Sequence, residues 1–85
     1  MTHNDYSKLQ TKIGEVYTTC YDLGERFEEQ GNVSELENLK TWVNNKKEDV
    51  INWAVEHDAE HGVLVDIEND FDTMLDTINE SINEL

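Results

Sequence analysis

The chain has 85 residues and a mass of 9.9 kDa, and 20 Asp plus Glu against 6 Lys plus Arg give a formal net charge of −14. That length allows one domain, residues 1–85, with little room for both a core and an enclosed active-site cleft. The charge disfavours direct binding to nucleic acid or anionic lipid, the single cysteine excludes an internal disulfide, and the longest apolar run, Val63-Leu64-Val65, is too short to span a membrane.

In the first segment Tyr6, Leu9, Ile13, Val16, Cys20, Leu23 and Phe27 recur at alternating spacings of three and four, an a/d seam that predicts a helix over about 4–30. Gly31-Asn32 is a helix stop. Ser34 with Glu37 reads as a capping box that opens a second helix over about 34–61. Its seam runs Leu36, Leu39, Val43, Val50, Trp53 and His57, with Lys46 at the interrupted position and Gly62 as the stop. Asn44-Asn45-Lys46-Lys47 is locally weak for helix, and a break there would make four helices. The third helix, about 64–84, carries Ile67, Phe71, Met74, Ile78 and Leu85, and starts at Val63 or with Asp66 as N-cap. Trp42, Tyr17 and Tyr21 flank the seams as core-edge residues or partner anchors. Three striped segments with short connections predict an all-α fold, an antiparallel three-helix bundle. As a coiled coil it would be a monomer or a homodimer.

Charge is distributed unevenly along the chain. Residues 1–47 hold all six basic residues and eight acids, whereas residues 48–85 hold twelve acids and no Lys or Arg. In the third helix Glu68, Asp72, Asp76, Glu80 and Glu84 follow one another every four residues. Such neighbours repel, at a cost of about 0.2–0.5 kcal/mol per pair, and the last two lie at the unfavourable end of the helix dipole. The row rises about 6 Å per step and drifts about 40° around the helix, from beside the core, across the outer face and back. A locally destabilising feature with no cation in its own helix points to function.

Other constellations are weaker. His57 and His61 match the H-x-x-E-H string, and two histidines four apart on a helix can grip a metal ion, but no third ligand or cleft accompanies them. Asp66–Asp70 begins like a calcium loop, yet Phe71 and Thr77 stand where glycine and glutamate are needed. Glu25 with Glu28 and Glu29, and Asp76 with Glu80, would have to face inward to hold magnesium. Cys20 reads as a buried hydrophobe. No metal, cofactor or catalytic residue is therefore expected.

A rod about 37 Å long spans a DNA segment with about 22 phosphates. In size and charge the chain resembles the small acidic DNA-mimic inhibitors of phages and other mobile elements. That resemblance implies a non-enzymatic inhibitor of a basic nucleic-acid-binding protein, such as a restriction, CRISPR, repair or nucleoid protein. The carboxylates expected to meet it are Glu68, Asp72, Asp76, Glu80 and Glu84, then Asp70, Glu56, Asp58 and Glu60. An immunity protein for a basic nuclease toxin shares this physics, and a structural or adaptor coiled coil is the rival from another class. The N-terminus shows no charged-then-apolar export segment, so a cytoplasmic location is expected.

Overall fold

A computed structural model describes residues 1–85 as three α-helices and no strand: α1 (His3–Glu29), α2 (Val33–Glu56) and α3 (His61–Glu84). They lie alongside one another as an antiparallel three-helix bundle measuring 43 × 18 × 15 Å. α2 is one continuous helix through Asn44–Lys47, so the four-helix alternative does not occur. No helix is long and apolar enough to cross a membrane.

The core is a single file of apolar side chains. Leu9, Ile13, Val16 and Cys20 come from α1, and Leu36, Leu39, Val43, Val50 and Ala54 from α2. Ile67, Phe71, Met74 and Ile78 complete it from α3, and no polar side chain is buried. The predicted seams hold except at their ends and late in α2. At about 100° per residue, Ala54 falls within about 20° of the line of Val43, whereas Trp53 is turned about 80° away. Ala54 is accordingly buried, and Trp53 packs on the core from the side. Tyr6 and Leu85 are exposed at the ends of their stripes, 43% and 52% respectively, rather than continuing the seam.

Both connections use one device. Gly31 sits at φ 64° after α1, its N–H donates to the Glu28 carbonyl, and the Asn32 N–H donates to the Phe27 carbonyl. The same paired bonds follow α2: Asp58 N–H to Val55 and Ala59 N–H to Ala54, with Asp58 at φ 61°. These are Schellman motifs, the second built on an aspartate where glycine is usual. This turn ends α2 at Glu56 rather than near residue 61, so α3 starts at His61 and Gly62 lies inside it instead of stopping α2.

The caps also differ from expectation. Asn32, not Ser34, caps α2, and its side-chain oxygen accepts from the Glu35 N–H at 3.1 Å. Its closeness to the Gly31 turn brings the amide to that N–H, which leaves Ser34 inside the helix. The capping box lies at α1 instead, where Thr2 accepts from the Asp5 N–H and Asp5 accepts from the Thr2 N–H. α3 has Glu60 as N-cap with no side-chain bond, so neither Val63 nor Asp66 marks its start.

Candidate functional site

The acidic row of α3 is exposed throughout, at Glu68, Asp72, Asp76, Glu80 and Glu84. Its drift decides what each member meets. Asp72 points toward α2, where the Lys47 ammonium lies 2.9 Å from its carboxylate. α3 itself holds no cation, and the neighbouring helix supplies one to Asp72. It stays 57% exposed, a setting in which an ion pair contributes little. Asp76 faces solvent one turn later. Twelve residues beyond Asp72 the row has swung about 120°, and Glu84 meets Glu28 of α1. The hydrogen bond with Glu28, reinforced by the charges of Glu28 and Glu80, holds the Glu84 carboxyl above the usual range.

α1 adds to this flank. The groove between α1 and α3 is bordered by Asp22, Glu25, Glu28 and Asp70, with no Lys or Arg. Tyr17 and Tyr21 stand within it, their ring centroids 4.3 Å apart. Tyr17 is 50% exposed, while the Tyr21 hydroxyl lies 3.3 Å from Thr77 Oγ1 across the groove. Sequence reasoning placed both tyrosines beside a seam but had no means of placing them among carboxylates. It likewise left Glu25 and Glu28 out of the acidic surface, because only the pairing of α1 with α3 brings them there.

The remaining predicted acids belong to the other end of the bundle. Glu56 ends α2, Asp58 forms the left-handed turn and Glu60 precedes α3. All three are exposed. Asp5 lies at this end; its bonds with Thr2, aided by the nearby His57, hold its carboxyl below the usual range. The predicted acids thus form one winding row and a separate terminal group.

The metal reading does not survive the turn at Asp58. His57 and His61 are separated by non-helical residues, so helical i, i+4 spacing is lost. His57 stacks on Trp53 at 4.1 Å, with Nδ1 2.7 Å from the Trp53 carbonyl oxygen. No group of three or more His, Cys, Asp or Glu side chains is arranged to hold a metal ion. Burial pushes the Cys20 thiol up to about 11, which leaves it inert as a nucleophile at neutral pH.

The groove between α1 and α2 has the opposite character. Trp42 and Trp53 border it over Val16 and Val50, with Lys12, Lys46, Glu15 and Asp49 at its edges. Lys12 Nζ sits 5.2 Å from the Trp53 ring and Lys46 Nζ 5.8 Å from the Trp42 ring. Comparison with protein-family models, curated proteins and solved structures finds no match to this chain.

Proposed function

We propose that this protein is a non-enzymatic acidic inhibitor that presents carboxylates in place of nucleic-acid phosphates to a basic protein surface. The observation that carries the reading is the winding line of exposed carboxylates on α3, running from the α2 flank to the acidic groove beside α1. Its members rise about 6 Å per step, close to two phosphate steps of about 3.4 Å along one DNA strand. The rod is 43 Å long, the span of about 25 duplex phosphates.

The chemistry is that of a competitive decoy. A basic groove attracts the rod through the same long-range field that draws in nucleic acid, so association is fast and weakens with salt. Carboxylates alone give little residence time in water. Tyr17 and Tyr21, rigid amphipathic rings among the acids, supply the apolar contact that slows dissociation. Asp72 is the least available of the row because Lys47 holds it. The working set is therefore Glu68, Asp76, Glu80 and Glu84, with Asp70, Glu25 and Glu28 from the adjoining groove.

The test is joint charge reversal, Asp76→Lys, Glu80→Lys and Glu84→Lys, followed by capture of partners from lysate at low and at high salt. The parent protein should retain basic nucleic-acid-binding proteins at low salt and release them at high salt. The triple variant should capture none, while its thermal stability rises because the new cations suit the C-terminal end of the helix dipole and face Asp72 and Glu28. Capture that survives the reversal refutes the decoy mechanism.

A further inference from the structure

We propose that the groove between α1 and α2 is a homodimer interface, in which a second copy docks antiparallel about a two-fold axis centred on α2 between Lys47 and Glu48. This inference uses a different face from the acidic row and does not depend on the decoy reading.

The first argument is which surface a second copy can approach. Each chain carries −14, so two copies repel over most of their surfaces. The α1/α2 groove is the exception. Its edge charges balance, Lys12 and Lys46 against Glu15 and Asp49, around two indoles packed on the core. Two half-exposed indoles edged by balanced charge match the aromatic enrichment of protein interfaces.

The second argument is symmetry within the helix. Trp42, Lys46, Asp49 and Trp53 form one stripe on α2, at spacings of four, three and four. That order is its own complement when reversed. The midpoint of the two tryptophans falls between residues 47 and 48, and so does the midpoint of Lys46 and Asp49. A two-fold axis at that point sets each Trp42 opposite the other copy's Trp53, about 16 Å from the mirrored pair. The same operation sets each Lys46 against the other copy's Asp49, twice. A two-fold interface requires this self-complementarity, with residue i meeting j and j meeting i. Lys12, already over Trp53, is carried to the edge of the opposing Trp42. α3 lies behind α1 and α2 in this arrangement, so both acidic rows remain outside.

The experiment is sedimentation equilibrium of the full chain, up to about 1 mM, at low and at high salt. We expect a monomer–dimer equilibrium that tightens with salt as the repulsion between the two anionic chains is screened. Decoy binding has the opposite salt dependence, so failure of one reading is separable from failure of the other. Both tryptophans of the chain lie in this groove, so their emission should shift to shorter wavelength with concentration. Lys46→Asp and Asp49→Lys should each weaken the dimer about tenfold or more, and the two together should restore it. Asp49→Lys is decisive, because it reduces the excess negative charge and would strengthen any association limited by overall repulsion alone. Circular dichroism checks that these surface variants stay folded. A monomer at about 1 mM in high salt, single variants without effect, or a double variant that fails to restore dimerisation would each overturn the proposal.

Discussion

The two grooves that flank α1 are built from similar parts to different ends. Toward α2 the helix meets two tryptophans, each beneath a lysine head. Toward α3 it presents its own pair of tyrosines, bordered by carboxylates and no cation. α1 contacts α2 more extensively than it contacts α3. Aromatic residues at helix edges therefore have two roles within one small bundle. Where helices touch closely and charges balance, the rings extend the core. Where the contact is thin and one sign dominates, the aromatic residue stays exposed, as at Tyr17.

Removing one ring from each groove should separate these roles most strongly. Trp53→Ala should cost about 2 kcal/mol of stability, less than a fully buried aromatic, and lower Tm by about 8–16 °C. Tyr17→Ala should change stability by no more than about 0.5 kcal/mol, yet weaken partner capture about tenfold. Thermal melts and a binding titration of the two variants read both effects, and an equal loss of stability would erase the distinction.

A smaller effect is expected at the α2–α3 turn. Asp58 holds a left-handed conformation that glycine adopts without strain. Asp58→Gly should raise stability by about 0.5–1 kcal/mol, measured by urea denaturation with unchanged slope. A loss would mean that the aspartate side chain supports the turn.

Acidity probes the α1/α3 flank. Glu84 is held above its ordinary value of 4.5 by its hydrogen bond with Glu28 and by repulsion from Glu28 and Glu80, so the folded chain binds more protons there than the unfolded chain. Its contribution is present in full below the unfolded value and is lost as pH rises through the folded one. Melting temperature should therefore increase as pH falls from neutral toward the carboxylate range. Asp5 has the opposite sign: its lowered carboxyl stabilises above its ordinary value of 3.8, and that contribution fades as pH falls further. A Tm that declines steadily from neutral pH downward would contradict the crowding of acids on this flank. The smallest change belongs to Lys47→Ala, which should cost less than about 0.5 kcal/mol in thermal melts because the pair with Asp72 is exposed.

The bundle was legible because its apolar spacing is regular; all four buried residues of α1 and all four of α3 lie on the predicted stripes. The end of α2 was not, since Asp58 takes a conformation for which glycine is the usual sign, and the nearby Gly62 drew the boundary too far along. The acidic row was legible as a row, and its drift around α3 follows from helical pitch alone. Its neighbours were not legible. Lys47 beside Asp72, and Glu28 beside Glu84, depend on the axial register between helices, which no single helix encodes.

The direction of α1 and α3 has a consequence for how the charge of the molecule is oriented. Joined through an antiparallel α2, these helices run parallel, and their C-termini share one end of the rod. Their backbone dipoles therefore add, against the single opposing dipole of α2. Glu28, Glu80 and Glu84 sit at the negative pole that results. The rod thus carries a vector as well as a total charge. In the field of a cationic groove it experiences a torque as well as an attraction, and turns this pole forward before contact. On the decoy proposal, encounter is selected by orientation, with the end bearing Glu28 and Glu84 arriving first.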